Sequence, residues 1–395
     1  MNISAGEFAL RREMLADRLE ERGLSGVVLF DPHHVLYYTG FHFIQTERPV
    51  AFAMSSDARG GMLVPRLEVE HAQANAAVSE IAHYDEFPGD VHPMSKLAEL
   101  VAALGLRGRV GADSDGYPWV FGYRGPSLGD ATGCEVVLVA DAVEDQMAVK
   151  SEAELALLRI ACHWAGVAHR VLQEITKVGV TETEVERKAS ESATDLLLAE
   201  LGSEWRPQSP WYSGVWAGYR GQIGRGAAIP HALAGNIVFE VGDVLVTEAI
   251  APVWGYHSEL ERTMVLGPPS AEQRRLHEHM VALQDLAVDT LRAGSPCSEV
   301  DRRVRAYYEE HSLWDYWRHH SGHAIGLRYH EGPFLDMGDA TELVPGMVFT
   351  VEPGLYADGV GGFRHSDTIA VTAGGVEWLT DYPRDLDSLT LPVDA

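Results

Sequence analysis

The sequence predicts two domains: an α/β domain at the N-terminus, then an α+β domain built around an antiparallel sheet. Three observations predict this. Over the first 140 or so residues, apolar strand runs alternate with helical patterns, as α/β domains do. A long helix from about Glu152 then opens a region ordered as helices, strands, helices, strands, which suits two halves of one α+β unit. Finally, 395 residues are enough for two cores. The boundary falls near 143–150, where Val143-Glu144-Asp145-Gln146 precedes that helix, and the domains are set at 1–146 and 147–395.

The elements follow in order. Residues 8–23 read as an amphipathic helix, with Leu10, Met14, Leu15 and Leu19 at helical spacing and Gly23 as its stop. Ser25 to Phe30 is an apolar run that reads as a buried strand, and Tyr37-Tyr38-Thr39-Gly40-Phe41 ends a second element. Strands are expected at 50–54, 61–64, 109–112 and 135–139, and helices at 66–78 and 94–104. In the second domain a helix runs from about Glu152 to Ile175. Thr181-Glu182-Thr183-Glu184 opens the next, to about Glu200, with the spacing of a capping box. Residues 203–235 are irregular, with Pro207, Pro210 and Pro230 among Trp205, Trp211, Tyr212, Trp216 and Tyr219. Such a loop either serves the site or caps the core with its aromatics. Strands return at 244–247 and 263–266, flanking a turn at Gly255. Helices at 270–293 and 298–312 and strands at 347–352 and 368–372 complete the pattern. No short-period repeat or low-complexity tract interrupts it.

Composition narrows the function. The net charge is −27, and of 31 basic residues only Lys96, Lys150, Lys177 and Lys188 are lysine. Such a surface repels nucleic acid and anionic membranes. It reads as a solvated acidic shell or as a funnel for a cationic substrate. No apolar run reaches the roughly 18–20 residues that span a bilayer, and the first residues show no secretory pattern. Cys134, Cys162 and Cys297 are odd in number and widely spaced, which fits a reducing cytoplasm.

The chemistry-bearing residues are acidic and imidazole groups. Glu248, Glu259 and Glu261 lie on two adjoining strand-like segments, and strand alternation puts Glu259 and Glu261 on one face. Pointing inward with Glu352, they form a carboxylate cluster that demands a cation: a metal, an arginine or the substrate. Pointing outward, they are surface charges. His323 stands between Gly322 and Ala324, small neighbours that permit close approach, and His330 follows seven residues on.

Four segments carry a resemblance. Gly255-Tyr256-His257-Ser258-Glu259-Leu260-Glu261-Arg262-Thr263, Gly322-His323-Ala324-Ile325-Gly326, Val351-Glu352-Pro353-Gly354 and Arg364-His365-Ser366-Asp367-Thr368 occur in the order found in the creatinase, prolidase and methionine aminopeptidase family. The resemblance covers nearly the whole chain. It implies a pita-bread catalytic domain with pseudo-twofold halves, preceded by a smaller creatinase-type α/β domain. In that family two metal ions are bound by two Asp, one His and two Glu. The matching positions are Glu248, Glu259, His323, Glu352 and Ser366, with His231 and His330 implied to contact substrate.

The departures shape the expected activity. Both aspartates are lengthened to Glu and the last Glu is Ser366, whose neutral hydroxyl is a poor bridge between two divalent charges. Glu261 replaces a threonine usual in metal-binding members and resembles the metal-free member, creatinase. There the equivalent Glu and the Glu-Pro Glu hold a guanidinium. Glu47-Arg48-Pro49 also resembles creatinase and implies that Arg48 reaches a neighbouring subunit's site as a carboxylate clamp, hence a homodimer. The creatinase match breaks near Asp336.

The leading expectation is therefore hydrolysis of a C–N bond in a small amidine-, guanidino- or amide-like molecule without metal. In it Glu261 and Glu352 bind the cationic group, His231 performs acid–base work, and His323 and His330 assist. Arg48, Glu248, Glu259 and Arg364 complete substrate binding. No cofactor is expected. The alternative is an Xaa-Pro peptidase of the prolidase or aminopeptidase P kind, with Mn, Co or Zn on Glu259, His323 and Glu352, together with Glu248. A third reading is a binding module without catalysis.

Overall fold

A computed structural model describes residues 2–210 and 212–393; Trp211 of the expected aromatic loop lies outside the described residues. The chain forms two compact units, divided between Met147 and Ala148. The segment read as a boundary is itself helical, Ala140–Ala148, because Ala142, Val143 and Met147 present a buried face.

The first unit holds a six-stranded mixed sheet. Gly26–Leu29 lies inside it, antiparallel to Ala51–Ser55 and parallel to Arg109–Ala112. Gly60–Pro65 and Glu80–Tyr84 extend one side, and Glu135–Leu138 the other. Helix Ala5–Glu21 buries Leu15 and Leu19 but leaves Leu10 and Met14 exposed, so its apolar stripe is narrower than its spacing predicts. Val28, Leu63, Leu97 and Val110 meet in the core.

In the second unit the expected order of helices and strands is present. Helix Glu152–Ile175 starts with a full capping box of Ser151 and Glu154. It buries Leu155, Leu158, Cys162, Ala165 and Leu172, and each fully buried leucine contributes about 1.5–3 kcal/mol. It packs against Glu182–Leu201, which Thr181 caps. A second pair, Ala271–Thr290 and Cys297–Glu310, follows the strands. The main sheet is antiparallel throughout, in the order Glu331–Phe334, His323–Ala324, Val348–Val351, Asp367–Thr372, Gly375–Trp378. Smaller ladders join Val244–Val246 to Thr263–Leu266 and Trp216–Gly218 to Glu248–Ile250. This is the pita-bread arrangement. No helix among the described residues is long and apolar enough to cross a membrane.

Two features hold the functional strands in place. Arg262, fully buried, donates to the carbonyls of Glu261, Ser366, Tyr382 and Pro383 and pairs with Asp367 at 2.9 Å. At Gly322 a Cβ would stand 2.0 Å from the Thr350 carbonyl, so only glycine lets the His323 strand approach its neighbour so closely.

Candidate active site

Glu248 begins the strand Glu248–Ile250, and its register partner across the two-stranded ladder is Gly218. Glu259 and Glu261 do not lie on a regular strand. They sit in a segment held by isolated bridges, Leu260 to Ala249 and Glu261 to Ser366, which still turns both side chains to one side. The Glu259 backbone is pinned on Thr368, whose hydroxyl takes its N–H at 3.1 Å and donates to its carbonyl at 2.9 Å. Together with His231, His323, His330, Glu352 and Arg364 these carboxylates line one cavity of about 430 Å³. Arg48 lies in the first unit, paired there with Glu86 at 2.6 Å and with Glu47.

The cavity has two electrostatic halves. In one, ligand atoms of Glu259, His323 and Glu352 all lie within 4.8 Å of one another. His323 Nδ1 is 2.9 Å from the Ala324 carbonyl, which fixes the proton there and turns Nε2 to Glu352 at 3.3 Å. Nε2 is buried without a well-formed hydrogen bond. With protein charges alone, burial opposes the imidazolium, but Glu352 outweighs it and lifts His323 to about 9. Burial works against Glu352 as well, and His323 overcomes it, holding that carboxyl well below its usual range. Burial, reinforced by Glu352 and Glu261, holds Glu259 well above the carboxylate range, and Ser366 Oγ donates to its Oε1 at 2.6 Å. One imidazole and two carboxylates, with an orphaned nitrogen aimed between them, fit a single divalent ion of the Mn, Fe or Zn type.

In the other half guanidinium groups stand beside the carboxylates. Arg364 grips both oxygens of Glu261 through Nε and Nη2, the latter at 2.5 Å. It also donates to Tyr356 Oη at 3.0 Å and to the Pro230 carbonyl at 3.3 Å. Arg220 Nε stands 2.6 Å from Glu248 Oε2 as an ion pair without hydrogen-bond geometry, and its Nη2 lies 3.4 Å from Glu261 Oε1. Burial raises Glu261 to about 7 in spite of Arg364. Two sequence expectations are corrected here. Glu261 is not free to hold a cationic substrate, because Arg364 occupies its fork. Arg364, expected among the substrate-binding residues, instead spends its donors inside the protein at 3 % exposure. A second metal ion does not fit this half, since Ser366 offers no carboxylate and both Glu248 and Glu261 face guanidinium groups.

Histidines close the cavity. His330 stacks on His323 with ring centroids 3.8 Å apart, and burial with the neighbouring His323 lowers it to about 4, so it is neutral. His231 is exposed at the rim. His319 Nδ1 lies 2.8 Å from the His320 carbonyl, so its Nε2 accepts from Tyr356 Oη at 2.7 Å. Burial, with Glu248 and Glu259, pushes the Tyr329 phenol well above its usual range. Arg220, His319, Tyr329 and Tyr356 carry no motif and went unassigned in the sequence. The one available signal was Arg220's place between an aromatic residue and a glycine in the irregular loop.

Comparison with known proteins supplies the frame. Residues 156–373 match the model of metallopeptidase family M24, and residues 11–125 that of the creatinase/prolidase N-terminal domain. An Xaa-Pro dipeptidase of Pyrococcus horikoshii is 29% identical over 374 residues, covering 93% of this chain and 96% of that protein. A probable dipeptidase PepE of Mycobacterium tuberculosis is 28% identical over 393 residues, covering 99% and 98%. Among solved structures, an Xaa-Pro dipeptidase from Bacillus anthracis superposes with a TM-score of 0.81 at 26% identity, covering 98% of this chain and 100% of that one. Dipeptidase PepE from Mycobacterium ulcerans gives 0.82 at 26% identity, with full coverage of both, 100% and 100%.

Proposed function

The chain belongs to metallopeptidase family M24, and from that premise we propose that it hydrolyses the peptide C–N bond of small Xaa-Pro-type dipeptides with a single divalent ion. The relatives named as Xaa-Pro dipeptidases support this reading over the creatinase-like one expected from the sequence. The observation that carries it is the compact set of Glu259, His323 and Glu352, beside a half-cavity where Arg220 and Arg364 face Glu248 and Glu261. Held by those three residues, a divalent ion would supply a Lewis acid and a water of lowered pKa.

The chain's own groups do the rest. With an ion held there, Glu259 would be ionised, and its carboxylate would take the proton of the attacking water. His231 at the rim donates a proton to the departing nitrogen. His330, neutral and stacked on His323, offers a hydrogen bond to the substrate carbonyl or carboxylate. Arg48 of a dimeric partner as clamp for the dipeptide carboxylate, and action in the cytoplasm, belong to the same proposal.

The test is turnover of a panel of Xaa-Pro dipeptides by protein loaded with Mn²⁺ or Co²⁺. Cleavage of at least one dipeptide, reduced at least about tenfold by chelation and restored by the ion, is expected. A panel left intact would count against the reading. The second reading is metal-free hydrolysis of an amidine, guanidino or amide-like compound, whose cationic group would face the two carboxylates, Glu259 and Glu352, that no arginine answers. Its mark is turnover of such a compound that resists chelation.

A further inference from the structure

Arg220 has a backbone φ of +50°, a left-handed conformation that is strained for a residue with a side chain. Its surroundings impose it. On one side Trp216–Gly218 is paired with Glu248–Ile250, which sets Gly218 opposite Glu248. On the other, Gly221 N donates to the buried Glu182 at 2.8 Å, and a Cβ at Gly221 would lie 2.1 Å from the Leu233 carbonyl. The turn is fixed at both ends and delivers the guanidinium between two carboxylates, with Nε at 2.6 Å from Glu248 and Nη2 at 3.4 Å from Glu261. Strain held in this way marks a position the fold maintains for the sake of what it presents.

We propose that the Arg220 guanidinium is the built-in second cation of this cavity, set against Glu248, one of the five positions matching the family's metal ligands, and beside Glu261, so that the chain holds no more than one ion. The inference rests on the single-ion reading above only for the place of that ion. An ion bound to Glu248 would need its oxygen at about 2.0–2.2 Å, and the Arg220 Nε already stands 2.6 Å from that oxygen, in ion-pair contact though off the hydrogen-bond direction. Charge points the same way. Four glutamates face the cavity, and Arg220 and Arg364 answer two of them, leaving a formal charge that one divalent ion matches. Where a further carboxylate would be needed, Ser366 instead donates to Glu259 at 2.6 Å. Arg220 is thus a positioning and charge-balancing residue: being covalently attached, it keeps Glu248 and Glu261 neutralised when divalent ions are scarce.

Metal analysis of full-length protein, saturated with Mn²⁺ or Co²⁺ and desalted, tests this. The expected result is about one equivalent or fewer on the unaltered protein, about one more on Arg220→Ala, and no gain on Arg220→Lys, which keeps a cation. Two equivalents on the unaltered protein overturn the proposal, as does a folded Arg220→Ala protein with unchanged content. If Arg220→Ala does not fold, the near-isosteric Glu248→Gln carries the test. Its metal content and affinity should stay as they were, because Glu248 holds Arg220; a loss of about one equivalent, or of about tenfold in affinity, overturns the proposal. No metal on the unaltered protein, with uptake by Arg220→Ala, supports Arg220 as the built-in cation while sinking the single-ion mechanism. Xaa-Pro turnover is scored separately, so the two failures remain distinct.

Discussion

Burying Glu261 and Arg364 together, each at 3 % exposure, means that neither can be removed alone. Arg364→Ala would leave Glu261 in a buried pocket with Glu248, Glu259 and Glu352, faced by Arg220 Nη2 at 3.4 Å in place of the lost fork, and breaking a buried pair costs up to about 3–5 kcal/mol. Arg364→Met combined with Glu261→Thr removes both charges and should cost markedly less than the single change. Urea unfolding of the two variants measures the difference; equal losses would show that the pair is not what stabilises this half of the cavity. The same residues show how far sequence reading reaches. Glu259, His323 and Glu352 stood out as candidates because short motifs bracket them, and Glu248 by its distance from Gly255. The partners of Glu261 were not, because Arg364 lies 103 positions away and Arg220 sits in a loop with no periodicity.

At the scale of elements, helices were the more legible part. Thr181 before Glu184 announces a helix start that the structure keeps, and the helix expected from about Glu152 is present, with Ser151 as the cap the structure adds. Strands shorter than four residues, such as His323–Ala324 and Thr390–Leu391, leave too little pattern to find and are defined by partners distant in sequence. The strand at His323 also depends on a glycine no propensity would favour. Gly322→Ala would drive a methyl group to 2.0 Å from the Thr350 carbonyl, and overpacking against backbone costs about 1–3 kcal/mol or more. The expected outcome is a lowered Tm together with weakened metal binding, since His323 moves with its strand. An unchanged Tm and an unchanged metal affinity would show that the strand has room to yield.

For the whole molecule, buried histidines set opposite pH limits on the two units. In the catalytic unit burial, with Arg262, lowers His169 to about 3, and burial chiefly lowers His277 to about 4. The unfolded chain takes up these protons from pH about 6.5 downward, so the stability they contribute is full above that value and drains as pH falls towards 4 and 3, with a slope of up to about 1.4 kcal/mol per pH unit per group. In the N-terminal unit burial opposes the charge on His34, but hydrogen bonds to Asp113 and Glu144 lift it to about 9. Its contribution is full below pH about 6.5 and is lost as pH rises through 9. Thermal melts across pH should therefore show His169→Gln flattening the acid limb and His34→Gln the alkaline one; a limb unmoved by its variant would refute that assignment. The buried Arg262 adds a consequence for biosynthesis. Its acceptors on Tyr382 and Pro383 lie 120 and 121 residues downstream. While the chain is being translated, the segment carrying Glu259 and Glu261 is on hand long before its anchor exists. A ribosome-bound chain stalled short of Tyr382 would hold that segment without two of the carbonyls that fix Arg262.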